Sequence, residues 1–390
     1  MKAGWQTKKL GDVCDFEGGS QPPKSEFIFE AKPGYVRFLQ IRDFGSDKNI
    51  TYIPEAKKNR ICKESDILIG RYGASVGKVL TEKAGAYNVA LMKTIPNLEV
   101  LNRDWFYNYL VSDKFQVHLL NIADRSAQAG FSKEDIYNFP VPVPPLPEQQ
   151  RIVGILYAAF DGIATAKANA EQNLHNARAL FESHLQSVFT KRGEGWVEKP
   201  LSELSKINYG YTESASAERA GPKFLRITDI QNNRVDWSMV PYCPIKPGDL
   251  PKYKLADGDI VFARTGATTG KSYLVVDPPE AVFASYLIRV QLSVKDLLPS
   301  FLNLFFQTQS YWESIRSGVS GSAQGGFNAT KLGELIIPFP KLLEEQKTVI
   351  AKLDTLSNET QRLESLYQHK LAALDELKKS LLHQAFSGAL

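Results

Sequence analysis

Pro340-Lys341-Leu342-Leu343-Glu344-Glu345-Gln346 opens a run with no further proline, and with no glycine until Gly388. Apolar residues recur in it at Val349, Leu353, Leu356, Leu363, Tyr367, Leu374, Leu377 and Leu381. With Thr360 and Lys370 filling the gaps, the steps alternate between four and three, which is the a/d stripe of a coiled-coil helix. Lys, Glu and Gln hold most of the other positions. At ~1.5 Å per residue such a rod is roughly 60 Å long. That exceeds what a compact globule needs, so the pattern asks for a partner helix.

The same chain supplies one. Pro144-Pro145-Leu146-Pro147-Glu148-Gln149-Gln150-Arg151-Ile152-Val153 reads like the start of the C-terminal helix. Pro147 suits the first turn, where its missing N–H costs nothing, and Glu148 suits the positive end of the helix dipole. The pattern predicts a helix to about Thr190, stopped by Gly193 and Gly195, with a stripe of Ile152, Leu156, Ala159, Ile163, Ala166, Ala170, Asn173, Ala177 and Leu180. The small residues in that stripe would let a second helix approach closely. The ends also match, Ser187-Val188-Phe189-Thr190 against Gln384-Ala385-Phe386-Ser387.

Outward from the rods, the rest of the chain reads as two copies of one plan, offset by roughly 195 residues. Trp5–Val13 echoes Trp196–Leu204, and Arg37–Asp43 echoes Lys223–Asp229. Asp66–Lys78 (DILIGRYGASVGK) and Asp259–Lys271 (DIVFARTGATTGK) share seven of thirteen residues. Ser126–Phe131 (SAQAGF) echoes Ser322–Phe327 (SAQGGF). Each copy begins with short β-rich runs broken by Gly and Pro. A helix follows, predicted at about 102–120 and 298–316, then a Gly/Ser loop, a short apolar strand and the long helix. The fold class is therefore α+β, in the order globule, rod, globule, rod. Since the end of the first rod near Thr190 lies close to the second globule at Trp196, rods that pack together must be antiparallel. The expected molecule is a dumbbell with a pseudo-twofold internal repeat.

Composition narrows the function. The 390 residues, 43% hydrophobic, leave room for two or three domains. No apolar run approaches the ~18 residues of a membrane span, and Met1–Gln6 lacks the apolar core of a signal peptide, so the expected compartment is the cytoplasm, with no membrane partner. Cys14, Cys62 and Cys243 are isolated and odd in number, which fits buried small hydrophobes better than disulfides or a metal site. His118, His175, His184, His369 and His383 are scattered, without the spacing or carboxylate company of a metal site. A net charge of +4 permits nucleic-acid binding without demanding it.

Three motifs bear on chemistry. Gly73-Ala74-Ser75-Val76-Gly77-Lys78 and Gly266-Ala267-Thr268-Thr269-Gly270-Lys271 look like a phosphate loop. They have three residues between the glycines where a nucleotide-binding loop needs four, and the residues that follow read as strand, not helix. A hairpin presenting Arg71, Ser75 and Lys78, or Arg264, Thr268 and Lys271, to a polyanion competes with a purely structural tight turn. Asp277-Pro278-Pro279-Glu280 resembles the tetrapeptide of amino-methyltransferases but has Glu where a base-stacking aromatic belongs, so a β-turn is the better reading. In the Ser126–Phe131 and 320–328 loops, Gln128 or Gln324 could bond adenine with both arms of its amide. The alternative is a connector capped by a core Phe.

On the duplicated globule-plus-helix plan, the two Gly-Lys segments and the PxPPLPEQQRIV and PFPKLLEEQKTVI helix openings, the whole chain resembles the DNA specificity subunits of type I restriction-modification systems. The second opening has Leu343 where the first has Pro147. The resemblance implies target recognition domains at residues 1–145 and 193–341, each followed by a conserved spacer helix, 146–192 and 342–390. Each domain would read one half of a bipartite, asymmetric site in the major groove of double-stranded DNA. The helices would form the antiparallel coiled coil and dock two modification (methyltransferase) subunits, with restriction (translocase/nuclease) subunits outside. The chain itself would be non-catalytic and bind no cofactor. S-adenosylmethionine, ATP and Mg would belong to the partner subunits. The DNA-binding candidates are Gln40, Arg42, Arg71, Tyr72, Ser75, Lys78, Gln128 and Phe131 in the first copy. In the second they are Arg226, Thr228, Arg264, Thr265, Thr268, Lys271, Gln324 and Phe327. Arg71, Lys78, Arg264 and Lys271 are expected at phosphates, and Gln40, Gln128, Arg226 and Gln324 at bases. A stand-alone methyltransferase or NTPase lacks its motifs, and a coiled-coil scaffold leaves the duplicated globules unexplained.

Overall fold

The computed structural model describes residues 4–123, 130–231, 233–320 and 326–390. Two compact units divide the chain, one of residues Met1–Glu171 with Gln368–Leu390, the other Gln172–Tyr367. Each long helix, Leu146–Lys191 and Leu343–Ser387, therefore contributes to both units.

In the first unit Gln6–Lys9 pairs antiparallel with Pro140–Val143, the strand that leads into the long helix. A four-stranded antiparallel sheet runs Cys14–Gly18, Leu91–Pro96, Leu68–Gly70, Val79–Leu80. A second sheet runs Tyr52–Pro54, Tyr35–Leu39, Gly85–Tyr87, Ile61–Cys62, and its central pair is parallel, Phe38 opposite Ala86. The second unit is built in the same order. Trp196–Pro200 pairs with Ile336–Pro340. Its four-stranded sheet runs Ser205–Tyr209, Leu287–Leu292, Ile260–Ala263, Ser272–Leu274, and Lys223–Leu225 lies parallel to Ala281–Phe283.

The helix expected at 102–120 is two helices, Arg103–Val111 and Asp113–Ala123. Ser112 is extended between them (ψ 152), and its hydroxyl donates to the Tyr109 carbonyl at 2.6 Å, taking an acceptor that a continuous helix would use. The helix expected at 298–316 is likewise split into Pro299–Phe305 and Gln309–Ser320, with the Thr308 hydroxyl donating to the Phe305 carbonyl at 2.8 Å. A short polar side chain that bonds backward breaks the helix while the apolar periodicity runs on.

The helix starts owe their position to one buried residue type. Gln149 is fully buried; its amide donates to the Val100 and Pro144 carbonyls and accepts from the Asn102 N–H. Gln346 does the same in the second unit, donating to Asp296 and Pro340 and accepting from Leu298. The Gln of both helix openings is thus a three-bond staple from the helix to the preceding strand and loop.

Within the first unit the two long-helix segments run in opposite directions. Phe160 lies under the Lys378 ammonium, Lys167 pairs with Asp375, and Arg151 donates to the Leu390 carbonyl. Leu382, Ala385 and Phe386 close the core beside Trp105 and Tyr109, with Trp105 and Phe386 4.5 Å apart. In the second unit Arg178 pairs with Glu364, and Leu185 and Phe189 join Phe301, Phe305 and Leu353 in the core. The stripe holds at Ile152, Leu156, Ile163, Ala170 and Ala177 but not at Asn173 and Leu180, which are exposed. Leu174 and Phe181, one residue later, are half-buried, Phe181 against the core of the second unit. In the other helix Lys370 and Leu377 are exposed, and Leu371 is half-buried beside Leu374. A straight helix drifts against a strict seven-residue repeat, so a stripe read in fixed steps slips off the seam.

The three cysteines are free and buried, and burial pushes the Cys62 and Cys243 thiols up to about 11. Asp277 sits at φ 48 in a bend, and its N–H donates to the Asp257 carboxylate at 2.9 Å. Among the described residues no helix is long and apolar enough to cross a membrane.

Candidate nucleic-acid interface

Both units fold the repeated Gly-rich stretch into one hairpin. Leu68–Gly70 turns through a 3-10 turn at Gly73–Ser75 into Val79–Leu80, and Ile260–Ala263 turns through Gly266–Thr268 into Ser272–Leu274. The strand after the turn rules out a nucleotide-binding loop, which needs a helix there. The backbone bonds coincide: Gly70 to Lys78 and Gly77 to Gly70 in one, Ala263 to Lys271 and Gly270 to Ala263 in the other. Gly77 (φ 81) and Gly270 (φ 96) have left-handed backbones, and a Cβ there would meet Gln116 or Trp312. Their carbonyls accept from the Gln116 amide and the Tyr311 hydroxyl, which clamp the hairpin to the helix behind it.

That clamp leaves the turn's other side free. Lys78 and Lys271 are exposed at its foot, and Ser75 and Thr268 are half-buried, their hydroxyls donating to the Tyr72 and Thr265 carbonyls. The Arg71 guanidinium lies over the Tyr72 ring at 5.1 Å and donates from Nε to the Phe131 carbonyl. Arg264 lies over the Tyr209 ring, also at 5.1 Å, and donates to the Ser285 carbonyl. Each guanidinium is thus placed by an aromatic face and one carbonyl.

The Ser/Gly loops come to the same place. Gly130 bridges to Tyr72, and the Phe327 N–H donates to the Arg264 carbonyl at 2.9 Å. Phe131 and Phe327 themselves are buried in the cores, so their rings anchor the loops from below and present no surface. Gln128 and Gln324 lie outside the described residues.

Gln40, Arg42, Arg226 and Thr228 sit on a second 3-10 turn, Ile41–Phe44 or Ile227–Asp229 with the residue before it. Gln40 and Arg226 precede it, and their backbone N–H groups are held by Asp43 and Asp229. Arg42 and Thr228 are exposed. The Arg226 fork is engaged on both Asp229 oxygens, at 3.1 and 2.7 Å, which raises its pKa further. Asp43 is almost fully buried, and that burial raises its carboxyl above the usual range.

A third segment, absent from the expected residues, joins the two turns. Asn88 donates from its backbone to Leu39, just before Gln40, while the Arg71 N–H donates to Ala90. Ser20 bridges to Asn88 in parallel, and a Cβ at Gly19 would collide with the Asn88 carbonyl. The second unit repeats the frame: Ala284 donates to Leu225, Arg264 to Tyr286, Tyr211 bridges to Ala284, and Gly210 makes the close approach. Tyr209 and Tyr286 stand exposed beside it. Cations interleaved with aromatic faces and amides on a clamped turn suit a polyanion with readable edges.

A family model, the type I restriction modification DNA specificity domain, matches twice, at residues 2–174 and 193–370. The MjaVIII specificity subunit of the type I restriction enzyme of Methanocaldococcus jannaschii is 22% identical over 99% of this chain and 93% of its own length. The EcoBI specificity subunit of Escherichia coli is 22% identical over 99% and 86%. Among solved structures, a chain from work on complex assembly and conformational transition of the type I R-M system superposes with a TM-score of 0.82 at 18% identity, covering 100% of this chain and 99% of that one. The HsdS subunit from Thermoanaerobacter tengcongensis superposes with a TM-score of 0.63 at 19% identity, covering 100% and 98%.

Proposed function

The chain belongs to the type I restriction modification DNA specificity family, and from that premise we propose that its two units read the two halves of one bipartite, asymmetric site on double-stranded DNA. The observation that carries this reading is the hairpin made twice on one backbone plan, with Arg71 and Lys78 or Arg264 and Lys271 at its open side. Two like readers suit the local symmetry of a duplex. These four cations, with Ser75 and Thr268, contact phosphates. Arg42, Tyr72, Arg226, Thr228 and Thr265, with Gln128 and Gln324, supply base-facing groups; Gln40, whose amide nitrogen is buried, supports the turn beneath them, and Phe131 and Phe327 act only by anchoring their loops.

The long helices pair along their whole length as an antiparallel coiled coil, and a pseudo-twofold axis relates the two halves of the chain. They dock two modification subunits, with restriction subunits beyond them. The chain performs no chemistry, so S-adenosylmethionine, ATP and Mg are used by those partners. Support comes from the opposed ion pairs Lys167–Asp375 and Arg178–Glu364, one in each unit. The test is equilibrium binding followed by reconstitution. The purified chain takes up neither S-adenosylmethionine nor ATP, and added modification subunits methylate one two-part sequence. Methyl transfer by the isolated chain would overturn the reading.

A further inference from the structure

The two units serve as each other's control. Where the backbone and the side chains both coincide, as at Arg71/Arg264, Ser75/Thr268 and Lys78/Lys271, the task is shared, as phosphate contact is. Where the backbone coincides and the side chains differ, the task differs, as base reading must between unlike half-sites. The junction of Ser20, Asn88 and Leu39 is such a place. The first unit carries Gln21, Asn88 and Gln40 there; the second carries Thr212, Ala284 and Arg226.

We propose that Gln21, oriented by Asn88, reads an adenine in the half-site of the first unit; this rests on the DNA-reading function proposed above. Gln21 is exposed, and its Oε1 accepts from the Asn88 amide nitrogen at 2.8 Å. Asn88 is itself fixed, because its Oδ1 accepts the Ala90 N–H at 2.7 Å. That bond fixes which arm of the exposed Gln21 amide is its oxygen, and it leaves the amide nitrogen and the second lone pair of the oxygen for a ligand. That pair of groups, a donor for N7 and an acceptor for the N6 amino group, is the adenine-reading pair. The backbone is stiffened on both sides, by the Ser20 bridge before and by Pro22-Pro23 after. Arg71 shares the neighbourhood through Gly18, whose Cβ would lie 3.1 Å from its guanidinium, so a phosphate contact stands beside the base contact. On the same frame Ser20 Oγ and Gln40 Nε2 are buried beneath the surface with no hydrogen-bond partner among the described residues, so neither is a reading group and Gln21 stands as the exposed amide there. Asn88 is a positioning residue, and Gln21 the specificity-determining one.

The experiment is selection from a random double-stranded DNA pool by the full chain co-purified with its modification subunits. Gln21→Ala is an exposed change that leaves the fold intact. It should flatten the preference for adenine at one position of one half-site by about 10- to 100-fold and leave the other half-site alone. Gln21→Glu should move that position toward cytosine, whose amino group a carboxylate accepts. Asn88→Ala should weaken the same position, and the double variant should be no worse there than Gln21→Ala, as coupled residues require. A wild-type pool without any enriched sequence would overturn the DNA-reading function itself. Wild-type enrichment that Gln21→Ala reproduces base for base would overturn only the assignment of Gln21.

Discussion

Arg71 and Lys78 illustrate how a shared sequence motif becomes a site. The hairpin is pinned from behind by Gln116, so its cations are held without being buried. Replacing Arg71 and Lys78 together by alanine should therefore leave the fold unchanged and weaken DNA binding uniformly across sequences. For every phosphate no longer neutralised, the slope of log affinity against log salt should become shallower by about 0.9. Titration at several salt concentrations checks this, and an unchanged slope would remove these residues from the phosphate set. The turn was legible in the sequence because it occurs twice within short stretches. The Gln21–Asn88 pair was not, because its members are 67 residues apart and meet only through the parallel bridge at Ser20. Arg226 was named from the sequence as a base-reading candidate in a repeated segment, but its engagement with Asp229 depends on rotamer geometry that spacing does not encode.

At the scale of elements, the helix openings were read from proline and charge, and the starts at Leu146 and Leu343 follow. The reason for the glutamine in each opening emerged only with the fold. Gln149→Ala would leave two carbonyls and one N–H without their partner in a buried site. Each buried orphan costs about 1–3 kcal/mol, so the first unit should lose roughly 2–5 kcal/mol in urea unfolding, allowing for partial relaxation. A loss below about 0.5 kcal/mol, the scale of an ordinary surface change, would show that the staple is dispensable. The breaks at Ser112 and Thr308 escaped sequence reading because a hydroxyl that bonds backward leaves no mark on apolar periodicity. The half-buried places of Leu174 and Leu371 escaped it because helical drift accumulates over many turns.

For the whole molecule, rod length should set the number of unread base pairs between half-sites. Seven residues inserted in each helix, near Lys167 and near Leu363, add ~10 Å at ~1.5 Å per residue. At ~3.4 Å per base pair the unread spacer should grow by about three pairs. Those three pairs rotate the duplex by nearly a third of its ~10.5-pair turn, so the partner subunits or bent DNA must absorb the difference and activity should fall. The half-site sequences should stay the same, as mapped methylation would report. An active lengthened protein with the old spacer would rule out the ruler. The most direct test of the central claim is the sequence that the unaltered chain selects, with its modification subunits, from random duplex DNA. The two-unit reading predicts two short defined blocks, different from each other, separated by a constant number of unspecified pairs. A single contiguous block, or two identical inverted blocks, would contradict it.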